Sequence, residues 1–259
     1  MISHRFSVPL LSTVICLVGV GLGIAQSQDK RTLLDRISKR PFDASVIGEV
    51  ERNRNPDLLP PLRKAFEETD GKREKQYIAR TLIKLGDQDT KYFEYLAGFA
   101  RVAVESSAPT VFTRAADGTF LRGRPNPEFE RWCRDHGLDV QQELVNQLKT
   151  YPSDVMMLAA SGDARARDLL RQGLTSQNEG VFLSTIVGLV LLRDRASIPE
   201  ILAEASRFPF ENSKAVIAVI LSSYEGEEVQ REILAAVADP ELREMYTKAL
   251  EDRRKQQVR

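Results

Sequence analysis

Apolar residues recur along most of this chain at helical intervals, and from 162 to about 254 the pattern itself repeats every 31 residues. Asp163, Asp194 and Glu225 stand 31 apart, each at a polar break after an apolar helical run. Downstream of each break the apolar registers return at Leu170, Ile201 and, one place late, Ile233, then at Leu174, Ala205 and Ala236. A fixed period of this length marks units too small to bury their own apolar faces, which must therefore stack on their neighbours. The pattern predicts helix pairs at 164–176 with 181–192, 198–207 with 213–223, and 227–237 with 241–253. Pro199 falls at a helix start, where its missing amide is harmless, and Pro209 and Pro240 are read as turn residues. Phe182, Ile186, Val187, Leu189, Val190 and Leu191 make a helix apolar all round, which predicts burial between neighbours. The last helix sets Leu242, Met245, Tyr246, Ala249 and Leu250 against Arg243, Glu244, Lys248 and Glu251, the one wet face that a terminal cap needs.

The amino-terminal half carries the same beat. Leu33, Leu34 and Ile37, then Val46, Ile47 and Val50, predict two short helices separated at Arg40-Pro41, because proline disfavours helix in the residue before it. Asn55 is a candidate cap with Pro56 at the first helical position, ahead of Leu58, Leu59, Leu62, Ala65 and Phe66. After Asp70-Gly71, a helix over 72–85 places Tyr77, Ile78, Thr81, Leu82 and Leu85 on one face, with Gly86 as its C-cap. Residues 92–104 form a further amphipathic helix with Phe93, Leu96, Ala97, Ala100 and Val104 inward.

Leu62-Arg63-Lys64-Ala65-Phe66 followed by Arg80-Thr81-Leu82-Ile83-Lys84-Leu85-Gly86-Asp87 resembles a HEAT repeat of the short bacterial kind, also found in phycobilin lyases. Leu158-Ala159-Ala160-Ser161-Gly162-Asp163 and Leu191-Leu192-Arg193-Asp194 are similar closings to the second helix of a pair. The resemblance covers about 57–99 and 155–254. It implies an all-α fold, an α-solenoid of antiparallel helix pairs, and a binding scaffold as its use. The chromophore-related features of the family's catalytic members are not found in this sequence.

Residues 106–127 break the rhythm with Pro109, Pro125 and Pro127 and lack helical periodicity. Residues 110–113 and 119–122 flank Asp117-Gly118, a strong hairpin dipeptide, so a small hairpin or ordered loop is expected between repeats. Asp87 and Asp163 lie 76 apart, against 62 for two units, which suits an insertion of this order. Insertions in solenoids project from one face, often the binding face. This one combines Arg114, Arg122 and Arg124 with Phe112 and Phe120, and these five residues are the candidate contact site for an acidic group or partner. The alternative is a loop whose apolar residues seal a gap while its arginines stay solvated. The domain reading is thus 29–105 for the first helical block, 106–127 for the insertion, 128–254 for the second block and 255–259 for a polar tail.

Residues 1–25 read as an export signal. His4 and Arg5 precede an apolar stretch over 6–24, and Gly23 and Ala25 suit cleavage after Ala25, with cleavage after Ser27 as an alternative. An uncleaved segment of this length would instead anchor the body to a membrane. Either way the body is expected beyond a membrane, in a periplasmic or extracellular space. The sequence holds 37 Lys and Arg against 37 Asp and Glu, a balance that supplies no overall field for a nucleic acid or an anionic membrane. Cys16 lies in the leader, so the mature chain would keep one thiol, Cys133, and could close no internal disulfide.

Cys133 and His136 stand three apart on a helix that Gly137 ends, but zinc needs three or four ligands and the mature chain has no other His or Cys, so no metal and no cofactor is expected. A nucleophile elbow, a phosphate loop and a metalloprotease helix are all missing, and Glu227, Glu228 and Glu232 sit at a helix start where acids favour the dipole. The sequence therefore favours a non-catalytic protein that binds another protein. An enzyme or lyase-like activity using Cys133, His136 and the loop arginines, or a membrane-anchored structural module, are the alternatives.

Overall fold

The computed structural model describes residues 30–39, 42–106, 108–114, 120–208 and 211–257; the leader and the Asp117-Gly118 turn lie outside them. The described chain is helical apart from one two-stranded antiparallel pair. In chain order come α1 (Lys30–Ser38), α2 (Val46–Asn53), α3 (Leu59–Glu68), α4 (Lys72–Lys84) and α5 (Thr90–Glu105). Strands β1 (Phe112–Arg114) and β2 (Phe120–Pro125) follow, then α6 (Pro127–Asp135), α7 (Val140–Val145), a π turn (Asn146–Thr150) and α8 (Tyr151–Ala159). The chain finishes with α9 (Arg167–Gly173), α10 (Glu179–Leu191), α11 (Ile198–Ala205), α12 (Glu211–Leu221), α13 (Glu227–Ala236) and α14 (Pro240–Gln257). Pro240 thus opens a helix rather than a turn, and the expected polar tail is helical through Gln257.

One apolar core runs from Leu33 to Leu250. Within it α2 packs on α4, α8 on α10, α10 on α12 and α12 on α14, while α1 packs on α3, α5 on α9 and α11 on α13. Residues 181–190 of α10 are all buried, as their apolar pattern demands, and only Leu191 emerges, 48% exposed. Two glycines let helices approach α10: a Cβ on Gly180 would stand 2.6 Å from Pro152 Cγ, and one on Gly188 would stand 2.8 Å from Ala159 Cβ. Leu170, Ile201 and Ile233 are buried at successive units, but the next register falls on Val237, with Ala236 exposed, so the slip of one residue persists to the end of α13.

A corner recurs where one helix pair hands over to the next. Arg54, Gly86, Gly162 and Arg193 adopt left-handed φ of 52°, 86°, 69° and 53°, and each is followed by Asn55, Asp87, Asp163 or Asp194. The Asn55, Asp87 and Asp163 side chains accept the backbone N–H two residues on, at 2.9, 3.1 and 2.9 Å. Asp87 and Asp194 are buried and reach back to the preceding pair, where Arg63 Nε donates to Asp87 at 2.7 Å and Arg171 donates through Nε and Nη2 to Asp194 at 2.9 Å each. The corner at Glu225 differs: positive φ falls on Gly226, after the acid, and Glu225 is exposed.

Tyr246 is fully buried on α14 and its hydroxyl finds no hydrogen-bond partner among the described residues. Burial pushes that hydroxyl up to about 12. A buried unpaired hydroxyl costs about 1–3 kcal/mol, so Tyr246→Phe is expected to raise stability in a denaturant titration by about 1 kcal/mol. Because the native state resists ionising this group while the unfolded chain ionises near pH 10, the variant should also lose less stability between about pH 10 and 12.

Candidate functional site

Helix α5 packs directly against α8, so residues 106–148 leave and rejoin the fold between two helices that touch each other, not between two pairs. The excursion has a small core of its own in which Ala108, Phe129 and Cys133 are buried against Val111, Trp132, Val140 and Leu144. It therefore extends well past 127, and α6 belongs to it rather than to the second helical block. Its hairpin pairs Phe112 with Pro125 and Arg114 with Phe120, with an irregularity between them. Asn126 N–H donates to Val111 O at 2.8 Å, and the Asn126 side chain caps α6 by accepting from Glu128 N–H at 2.9 Å.

Of the five residues expected to make contacts, Phe112 is half-buried in β1. Arg114 ends that strand, and Phe120, Arg122 and Arg124 belong to β2; their side chains lie outside the described set. Cys133 and His136 do not meet. Cys133 is inside the small core, where burial first, and then the Glu143 and Asp139 charges, push its thiol up, which makes the reactive thiolate scarce. His136 is exposed on Trp132, its ring centroid 4.7 Å from that of the indole, with Nδ1 2.8 Å from Trp132 O. Glu227, Glu228 and Glu232 are exposed on α13, and Glu228 pairs with Arg195 at 3.4 Å.

The seam between the excursion and the long core is polar. Glu143 is 4% exposed on α7 and forms no ion pair among the described residues. Its carboxylate instead accepts from Gln147 Nε2 at 2.8 Å, Asn146 Nδ2 at 2.9 Å and the Tyr151 hydroxyl at 3.3 Å. Burial foremost, and then the Glu143 charge, push the Tyr151 hydroxyl up. Gln147 ties this set to both sides, donating to Ser106 Oγ at 2.7 Å while its Oε1 accepts from Asn178 Nδ2 at 2.7 Å. Three neutral donors thus replace the water that burial takes from this carboxyl group.

The backbone at this seam widens into the π turn, where Tyr151 N–H reaches back five residues to Asn146 O. Pro152 is the cause on the chain itself, since it brings no N–H for the carbonyl four residues earlier and its ring crowds that carbonyl. The turn rephases the helix. Val145 and Leu148, at apolar positions of the sequence pattern, are 45% and 41% exposed, while Glu143 and Gln147 are buried. The seam is missed by reading apolar residues alone. Its trace in the sequence is a stripe, Val140, Glu143, Gln147 and Tyr151, in which two polar residues hold inward positions.

No protein-family model matches the chain, and no curated protein matches it.

Proposed function

We propose that the chain is an exported, non-catalytic scaffold whose helix pairs stack as a HEAT-like α-solenoid and whose excursion over 106–148 holds another protein. The repeated corner at Asn55, Asp87, Asp163 and Asp194 supports the stacking, because its spacings of 32, 76 and 31 come to 32, 33 and 31 once the 43 residues of the excursion are taken from the middle one. The observation that carries the binding reading is the apolar surface of the excursion: Leu138, Val145 and Leu148 are 39%, 45% and 41% exposed on a segment that α5 and α8 do not need in order to meet. Apolar side chains held in water on a projecting element are the usual core of a protein contact, with arginine and aromatic neighbours at its centre or rim. Export rests on the leader at 1–25. Among the described residues no helix is long and apolar enough to cross a membrane.

A photo-crosslinking residue at position 148 in the native cell tests the binding reading. One protein species should be caught reproducibly, and Val145→Asp with Leu148→Asp should abolish its capture while moving stability by no more than about 0.5 kcal/mol, as expected of exposed positions. Capture of RNA or lipid, or capture that the double variant leaves intact, would refute it.

A further inference from the structure

A cleft of about 230 Å³ opens between the start of α4 and the π turn, lined by Lys72, Arg73, Gln76, Lys149, Thr150 and Asp154. It gathers three cations and one carboxylate in a chain whose net charge is zero. The carboxylate is already satisfied. Asp154, 3% exposed, accepts from Lys72 Nζ at 2.9 Å and from Gln76 Nε2 at 2.7 Å. Gln76, fully buried at the floor, turns its Oε1 to Arg73 Nη1 at 3.3 Å, and Arg73 also donates to Ser153 Oγ. Lys72 Nζ sits 4.0 Å over the Phe99 ring. Two of the cations are therefore fixed in place before anything binds. Lys149 faces the same space from the π turn, exposed and without an ion pair among the described residues.

We propose that this cleft binds a multivalent oxyanion of the phosphate class, held by Arg73 from α4 and by Lys149 and the Thr150 hydroxyl from the π turn, with Lys72 shared between the anion and Asp154. Charge-assisted hydrogen bonds are about twice as strong as neutral ones, and donors fixed beforehand lose little freedom on binding. The π turn contributes directly. Each residue of an α-helix turns the chain by about 100°, so the extra residue in this turn sets the phase at which Lys149 and Thr150 stand beside Arg73. Oxyanion binding here requires no protein partner at the excursion.

Titration calorimetry and thermal unfolding of the full chain, with sodium phosphate against sodium chloride at matched ionic strength, test the site, with citrate as the carboxylate counterpart. Phosphate should give a saturable rise in Tm that chloride does not. Lys149→Ala and Arg73→Gln should each weaken phosphate binding about tenfold; Lys149→Ala should leave the unliganded Tm in place because that side chain is exposed, and Lys248→Ala, on α14, should bind phosphate as the parent does. Saturation by citrate but not by phosphate, with the same sensitivity to both variants, would overturn the assignment to the phosphate class. A phosphate response equal to that of chloride, or equal affinity in the parent and both cleft variants, would overturn it.

Discussion

A valine at position 188 should cost about 3 kcal/mol or more, the upper end of what overpacking a core costs, and should leave much of the chain unfolded near physiological temperature. Gly188 sits where α10 crosses α8 and α9. The first carbon added there would already lie 2.7 Å from Leu170 Cδ1 and 2.8 Å from Ala159 Cβ. Leu170 can rotate its terminal methyls, but the Ala159 methyl is fixed to its backbone, so relief requires the two helices to separate along a fully buried seam. Glycine-to-alanine replacement in a helix interior ordinarily gains about 1 kcal/mol from propensity, and Gly188→Ala should nonetheless destabilise because the contact is below any real Cβ separation. Denaturant melts of Gly188→Ala, Ala159→Gly and the pair give the decisive comparison. The double variant restores one methyl between the same two helices and should recover most of the loss, a coupling of about 1–2 kcal/mol that only residues in contact exhibit. Additive single effects would mean that α8 and α10 do not meet at this point.

How much of this was legible in the sequence divides cleanly between local and nonlocal physics. The helices and their ends follow from short-range rules: Asn55 and Pro56 start a turn, Gly86 closes α4 in the left-handed region, and Asp163 and Asp194 stand where the period puts them. The third corner failed because sequence spacing reports position and not chemistry. Tyr224 is buried there, its hydroxyl donating to Asp194 O at 3.0 Å, and Gly226 takes the positive φ that elsewhere precedes the acid. The excursion was visible as a loss of rhythm, but its place was misjudged because no periodicity records that α5 meets α8 across 45 intervening residues. Its extent was misjudged for a related reason: α6 and α7 are amphipathic like most of the other helices, and their apolar faces do not say which core they fill. The hairpin was anticipated around Asp117-Gly118, and β2 runs further than expected, to Pro125. In the proposed binding surface, Val145 and Leu148 look in the sequence like ordinary apolar beats of a helix, since the π turn that exposes them arises from Pro152, downstream of both.

Asp194→Asn should show how much the repeated corner contributes. The Asp194 carboxylate, 7% exposed, accepts from Arg171 at two points and from Ser197 Oγ, its own N–H closes α10 on Leu189 O at 2.9 Å, and its carbonyl takes the Tyr224 hydroxyl. Burial alone would push this carboxyl up, but the Arg171 and Ser197 hydrogen bonds and the Arg171 and Arg167 charges outweigh it and hold the group below the usual carboxylate range. Asparagine keeps the shape and removes the charge, leaving Arg171 facing a neutral amide. Breaking a buried pair costs about 3–5 kcal/mol; Arg171 keeps 37% of its side chain in water and can be resolvated, which brings the expected loss to about 2 kcal/mol. In a chain of this length that lowers Tm by about 4–8 °C. The pH dependence separates charge from shape. A carboxyl whose native pKa is depressed stabilises the fold at all pH values above its unfolded pKa of about 4, and that contribution vanishes as pH falls through the lower native value. The gap between parent and Asp194→Asn should therefore stay constant from neutral pH down to about 5 and close below about 4. Asp87→Asn should open a smaller gap, because Arg63 is its single ionic partner among the described residues and is 51% exposed. A gap at Asp194 that persisted unchanged into acid would assign the loss to the altered turn rather than to the charge that joins one helix pair to the next.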